Sequence, residues 1–194
     1  QRRRRLYEIN QGLAAFYQRC LRQVAAADTA RRYLAERELD AATVEAFGIG
    51  YAPPLWDAAL QWAEKHDYTA DELVAAGVVV PPGPDRPGSS YYDRFRNRLM
   101  FPIYDSQGRT IAFSGRLLDP QAKAAKYVNS PETPVFHKGR VLYALDKARQ
   151  HIVNAHPREA VVCEGQIDVI RCHAAGIPTA VAAQGTAFTD EHVR

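Results

Sequence analysis

The sequence predicts an α+β layer followed by the opening of an α/β sheet. Three observations carry this. As far as Gly77, apolar residues recur at helical spacing between capping and terminating residues. From Tyr91 to Leu118 they alternate as strands do. From Ala160 onward, an apolar run, a tight turn, a helical segment and a second apolar run succeed one another, the order that produces parallel pairing.

The helical layer is read from its punctuation. Leu6, Ile9, Leu13, Phe16, Cys20, Leu21 and Val24 alternate spacings of three and four, so this stretch is an amphipathic helix. Asp28 is expected to cap a second helix running to Glu38, and Asp40 a third that stops at Gly48. After Pro53-Pro54, Trp56 to His66 reads as a helix with Leu60 on the Trp56 face. Thr69-Ala70-Asp71-Glu72 is a capping box, and Gly77 ends the helix it opens. Val78 to Val80 is a short strand, and Pro81 to Ser90 a proline- and glycine-rich loop.

In the β-rich centre, period two puts Phe95, Leu99, Phe101 and Ile103 on one face and Arg94, Arg96 and Arg98 on the other. Asp105-Ser106-Gln107-Gly108 is a hairpin turn, and Arg109 to Leu117 returns with Ile111 and Phe113 inward. Asp119 to Lys138 reads as a polar, irregular loop rich in cations, an aromatic and an amide. Those groups bind phosphates, stack on bases and pair with base edges; the same composition also serves an ordinary solvated loop. Leu142 to Val153 is a helix ended by Pro157.

The chain is organised around Ala160-Val161-Val162-Cys163-Glu164-Gly165-Gln166-Ile167-Asp168. A buried strand there ends in a carboxylate and a glycine, and Asp168 follows in the first turn of a helix. Glu164 is thereby placed at the carboxyl end of a parallel strand, where open α/β sheets collect ligands. Two converging carboxylates suit a hard cation such as Mg²⁺; the same pattern also serves as a plain α/β connection. Pro178 to Ala183 is a second strand, and Gln184-Gly185-Thr186 turns into a helix capped by Thr189 that still runs at Arg194.

The totals bound the function. The 194 residues, 46% of them apolar, suffice for one large domain or two small ones. No apolar run reaches the roughly 18 residues of a membrane span, so no membrane partner is expected. The net charge of +3 is mild, but Arg94, Arg96, Arg98, Arg109 and Arg116 crowd the middle, which suits a phosphate-bearing partner; Arg2–Arg5 read as a solvated surface. Cys20, Cys163 and Cys172 have no C-x-x-C spacing and read as reduced thiols of a cytoplasmic protein. With Gln1 at its start and no signal-peptide pattern, the chain reads as an excised piece of a longer protein.

Five motifs then occur in order: Asp93-Arg-Phe-Arg-Asn-Arg-Leu-Met-Phe-Pro-Ile103, Ser114-Gly-Arg116, Lys126-Tyr-Val-Asn-Ser-Pro-Glu-Thr133, Phe136-His-Lys-Gly-Arg140 and Glu164-Gly-Gln-Ile-Asp168. From about Leu6 to the end, the sequence resembles the polymerase core of the bacterial DnaG-type DNA primases. The resemblance implies an α+β N-terminal subdomain over residues 1–157, followed by a truncated α/β TOPRIM-type parallel sheet over residues 158–194. It implies a nucleotidyltransferase of DNA replication, a DNA-directed RNA polymerase making short RNA primers at the bacterial replication fork. Its implied partners are a single-stranded DNA template, ribonucleoside triphosphates and, through a C-terminal region absent here, a replicative helicase.

Residue by residue, the resemblance makes Glu164 a catalytic metal ligand for Mg²⁺ or Mn²⁺ and Asp168 its catalytic support. Arg116, Lys126, Tyr127, Asn129, Lys138 and Arg37 become nucleotide- or template-binding groups. Zinc belongs to an upstream domain absent from this chain. The family's Asp-x-Asp pair is not present, so the metal site is incomplete, the piece alone is expected to be inactive, and the sheet, cut after its second strand, leaves an unpaired edge that is expected to be covered by a neighbouring chain or to go with poorly ordered C-terminal residues. Gln166 and Gln184 stand where the family has an aromatic and an aliphatic residue. Two other readings remain from the residues: a non-catalytic single-strand-binding module, or another TOPRIM enzyme, a topoisomerase or a nuclease.

Overall fold

The structure, a computed structural model, describes residues 2–83, 90–119, 121–185 and 188–193. Helix α1 (Arg2–Gln23) buries Leu6, Ile9, Leu13, Tyr17, Cys20 and Leu21 on one stripe. It takes in the N-terminal arginine run. Arg4 and Arg5 are anchored there: Arg4 pairs with Glu8 at 2.8 Å, while Arg5 pairs with Glu72 and lies over Tyr68. A turn at Ala25–Ala27 leads to α2 (Asp28–Glu36). The cap of α2 is Ala27 and not Asp28, which sits in the first turn and pairs with Arg31 instead. Helix α3 (Ala41–Ala46) is capped as expected, Thr43 N–H donating to Asp40 at 2.7 Å.

A strand follows that the pattern gave no sign of, β1 (Gly50–Ala52). All three residues are buried, so no alternation marks it. Its glycine is a packing requirement, because a Cβ at Gly50 would stand 2.6 Å from the backbone of Tyr17 on α1. Helix α4 (Ala58–Glu64) starts later than expected. Trp56 lies outside it and is 62% exposed, while Trp62 makes the buried contact. Helix α5 (Ala70–Ala75) has the Thr69–Glu72 capping box, and Gly77 beyond it has φ +78°. Strands β2 (Val79–Val80) and β3 (Tyr92–Asp93) form an antiparallel pair. Most of the expected proline-rich loop between them, residues 84–89, lies outside the described residues.

The main sheet has the order β1-β4-β5-β6, with β4 (Arg98–Tyr104), β5 (Thr110–Leu117) and β6 (Tyr127–Asn129), each pair antiparallel. The hairpin between β4 and β5 closes on Asp105, whose carboxylate accepts the N–H groups of Gln107 and Arg109. Helix α1 packs across β1 and β5. Two expectations are corrected here. The Asp119–Lys138 stretch is not wholly irregular, because β6 adds to β5 through three residues too few to show a period. Arg94, Arg96 and Arg98 do not form an exposed cationic face. Arg94 and Arg96 precede the strand, and Arg98 is 6% exposed, its guanidinium donating to the carbonyls of Gly115, Ala125 and Lys126. A fork of fixed donors satisfies three inward carbonyls that no apolar residue could reach.

After a turn at Lys138–Arg140, α6 (Leu145–Asn154) begins three residues beyond the expected Leu142. Tyr143 is held instead in a bridge to Ala182, and Ala144 takes φ +63°. Strands β7 (Val161–Cys163) and β8 (Ala180–Ala182) are parallel and flank α7 (Gln166–Ala174); α8 (Asp190–Val193) follows Thr189. Thr186 and Arg194 lie outside the described residues. Strand β7 is not the buried strand expected, since Val161 and Val162 are 41% and 54% exposed. Tyr143 bridges to β8, and the far edge of β7 has no strand partner among the described residues. The inner faces of α7 and β8 join the core of the main sheet through Ile167, Val169, Ile170, Ala180 and Ala182.

Asp93 ties the arginine-rich segment to this core. It is 1% exposed and accepts N–H bonds from Ala59 (2.7 Å) and Leu60 (3.4 Å), capping α4 from a distant strand. Burial outweighs those donors and pushes its carboxyl up to about 7, from an ordinary 3.8. The protonated acid is therefore the form the fold prefers. Stability is full below the unfolded value near pH 4 and is lost as pH rises to about 7, at no more than roughly 1.4 kcal/mol per pH unit. Chemical denaturation across pH 4–8 should show this decline, and Asp93→Asn should flatten it. An unchanged slope in the variant would assign the decline to other groups.

Candidate active site

The cationic side is built from the outer end of the main sheet and the end of α2. Arg116 and Tyr127 face each other across β5 and β6, and Arg116 Nη1 donates to Tyr127 Oη at 2.7 Å. The Arg116 guanidinium also lies 4.7 Å from the centre of the Tyr33 ring, and Arg37 covers the same ring at 5.2 Å. Two guanidiniums thus share one aromatic, a geometry in which ring quadrupoles offset part of their repulsion. Burial raises the Tyr33 hydroxyl above its ordinary value against the opposing pull of Arg116 and Arg37, so it stays a neutral donor. Tyr33 Oη and Arg116 Nε are buried without protein partners.

Lys126 is exposed on the next turn. With Arg116, Leu117, Leu118, Asp119, Ala122 and Ala124 it lines a cavity of about 360 Å³. A smaller groove lined by Thr29, Arg32, Tyr33 and Glu36 meets it at Leu118. Leu117 and Leu118 supply an apolar floor beside fixed cations, a combination suited to a ligand with a flat ring and a phosphate tail.

The acidic side is the turn after β7. Glu164 and Asp168 are both exposed, and among the described residues neither takes part in an ion pair or a side-chain hydrogen bond. Gly165 is the residue before α7, and Asp168 Oδ2 lies 3.7 Å from where its Cβ would be. Both acids therefore offer unused oxygens at the start of a helix. No group of three or more metal-ligating side chains occurs among the described residues.

A polar joint connects the two sides. Asn129 at the end of β6 donates to the Gln184 carbonyl at 3.4 Å, and Gln166, two residues beyond Glu164, donates to the Gln184 side chain at 3.3 Å. Gln166 and Gln184 are 5% and 0% exposed. Gly185 has φ +71°, with its Cβ position 2.7 Å from Asn129 Nδ2. Lys138 is held by a second tie. Its N–H donates to Glu132 at 2.9 Å, and its carbonyl faces His192 of α8 at 3.0 Å, beside the Arg140–Glu191 ion pair. The turn carrying Lys138 is thus clamped to the segment that follows β8.

One feature escaped sequence reasoning. Arg96 stacks on exposed Trp56 at 4.0 Å, with Tyr92 edge-on to the same indole at 5.6 Å. The signal available was Trp56 beside Pro53-Pro54 and the arginine-rich stretch Arg94–Arg98. Helical spacing drew Trp56 into α4 and hid it.

Comparison with known proteins places this geometry in context. Residues 16–149 match the model for the DNA primase catalytic core, N-terminal domain, and residues 158–194 match the Toprim domain. The chain is 46% identical over its whole length to the DNA primase of Synechococcus elongatus, of which it covers 27%. Among solved structures it is similar to the RNA polymerase domain of Mycobacterium tuberculosis primase DnaG (41% identity, TM-score 0.89, covering 98% of this chain and 60% of that one). It is also similar to a DnaG primase catalytic domain bound to single-stranded DNA (44% identity, TM-score 0.85, 99% and 57%).

The Gln184–Gly185 joint is open to test. Gly185→Ala sets a side chain in left-handed backbone against Asn129, and urea unfolding should show a loss of about 1–2 kcal/mol. Gly139→Ala, whose Cβ would approach nothing closer than 4.0 Å, should stay within about 0.5 kcal/mol of wild type. Equal behaviour of the two variants would show that the joint is slack.

Proposed function

Because the chain belongs to the DNA primase catalytic-core family, we propose that it forms part of an enzyme that synthesises RNA primers on single-stranded DNA. The observation that supports this most is the joint Gln166–Gln184–Asn129, which ties an unpaired Glu164–Asp168 turn to the Arg116–Tyr127 strand pair. Primer synthesis needs that pairing of functions. A 3′-hydroxyl attacks an α-phosphorus in line and pyrophosphate leaves, so charge on the phosphates must be neutralised while the reacting groups are aligned.

In this reading Arg116 and Lys126 hold the triphosphate over the cavity between them, and Tyr127 and Tyr33 fix the Arg116 plane. Asn129 and Lys138 bind nucleotide or template beside the acidic turn, and Arg37 extends the basic wall. Trp56, backed by Arg96, offers its indole to a template base. Two exposed carboxylates that take part in no ion pair among the described residues fit one hard divalent ion, Mg²⁺ or Mn²⁺, with Glu164 as ligand, Asp168 in support and water completing the shell. Such an ion, when bound, lowers the hydroxyl's pKa and stabilises charge on the attacked and leaving oxygens. Ribonucleoside triphosphates and a replicative helicase are the further partners this reading implies.

The chain spans 27% of the length of the Synechococcus elongatus DNA primase. With only the two carboxylates of this turn, these residues are expected to bind nucleotide and single strands without joining nucleotides. That keeps a second reading in place for the isolated chain, a binding module using the cationic wall alone. A topoisomerase or nuclease is set aside by the family match over residues 16–149.

Two measurements test the proposal. On a single-stranded template with Mn²⁺, this chain should give no primers, while Glu164→Gln in a longer protein that includes it should lower turnover at least about a hundredfold. Robust synthesis by the isolated chain, or an unaffected Glu164→Gln enzyme, would refute the assignment. In salt titrations of single-strand binding, Lys126→Ala and Lys138→Ala should each reduce the log–log slope by about 0.7. Unchanged slopes would remove those residues from the phosphate path.

A further inference from the structure

Two thiols have no role in the site described above. Cys163 is the last residue of β7 and Cys172 lies in the second half of α7; both are half-buried, both are free, and their sulfurs stand 3.9 Å apart. The third thiol, Cys20, is 6% exposed within the core on α1. The pair lies in the TOPRIM-matching segment, in the strand whose neighbours Val161 and Val162 are open to solvent. Cys163 directly precedes Glu164, and Cys172 follows Asp168 by one helical turn.

We propose that Cys163 and Cys172 form a reversible intramolecular disulfide by exchange with a low-molecular-weight disulfide. A disulfide needs sulfurs about 2.05 Å apart. The pair must therefore close by roughly 2 Å, within reach of side-chain rotation and a small settling of α7 on β7. In the first step one protein thiolate attacks the small disulfide, forming a mixed disulfide and releasing one small thiol. In the second the neighbouring thiolate attacks the protein-bound sulfur, forming the Cys163–Cys172 bond and releasing the second small thiol. The protein pair gives up two electrons, the small disulfide accepts them, and the two S–H protons end on the released thiols. The bond closes a short loop that contains Glu164, Gly165 and Asp168, so it restrains the backbone of both carboxylates. The proposal stands apart from the primer-synthesis reading, since it rests on the sulfur geometry alone.

The test treats the folded chain with oxidised glutathione, then alkylates and digests it. Trypsin cleaves after Arg171, between the two cysteines, so the expected product is a peptide ending at Arg171 joined by a disulfide to the peptide beginning at Cys172. The intact mass should fall by two hydrogens, Cys20 should remain alkylatable after unfolding, and dithiothreitol should restore both thiols. Amide exchange across residues 161–174 should slow in the oxidised form. Cys163→Ser and Cys172→Ser should each stop at a glutathione adduct on the remaining thiol. Glutathione adducts without the linked peptides in the wild-type chain would overturn the proposal, as would a link that forms only in urea. Faster amide exchange in the oxidised form would show that the bond does not fit the native arrangement, and would overturn it too.

Discussion

Strand β5 and its pairing with β4 hold the structure together. Helix α1 lies across β5, β1 extends the sheet beyond β4, and β6 extends it beyond β5. The buried side chains of this pair, Leu99, Phe101, Phe113 and their neighbours, belong to the same core as Ile167, Val169 and Ala180 beneath the acidic turn. A close-packed core transmits position. Arg116 leaves the sheet where β5 runs out of buried residues, and its place relative to Glu164 is set by what that core allows.

The arginines divide by what their guanidiniums meet. Arg98 is spent on three carbonyls inside the sheet corner, and Arg94 on the carbonyl of Gly77. Arg5, Arg109 and Arg140 are neutralised by carboxylates. Arg5 and Arg109 also lie over aromatic rings, whereas Arg116, Arg37 and Arg96 lie on rings without a carboxylate ion-pair partner among the described residues and keep their net charge. Stacking orders a guanidinium without cancelling it, which is the condition a phosphate-binding cation has to satisfy. A modest net charge is therefore compatible with a strongly cationic surface.

The joint between the two sides is polar and buried. Gln166 and Gln184 satisfy each other in part, and Gln184 also supplies the carbonyl that Asn129 needs. Buried amides impose a single geometry because misalignment leaves donors and acceptors unmet. Gln184 Nε2 and Asn129 Oδ1 have no protein partner. The joint therefore holds unused hydrogen-bonding capacity beside the cationic wall.

Wherever a local rule acts alone, the residues themselves determined the outcome. The α1 stripe, the Asp40 cap, the Thr69–Glu72 box, the hairpin at Asp105 and the strand–Glu164–helix order all follow from spacing and capping over a few residues. So did the family, because five motifs in order record a fold without a calculation of it. Tertiary structure alone decided which arginines face inward, that three residues at Gly50 and three at Tyr127 become strands, and that Trp56 stands free on Arg96. It also decided that Asn129 meets Gln184 and that two thiols nine positions apart touch. The reason is common to all of these. Each depends on a partner distant in sequence or across the sheet, and periodicity reports only which face a residue occupies, never what waits on that face.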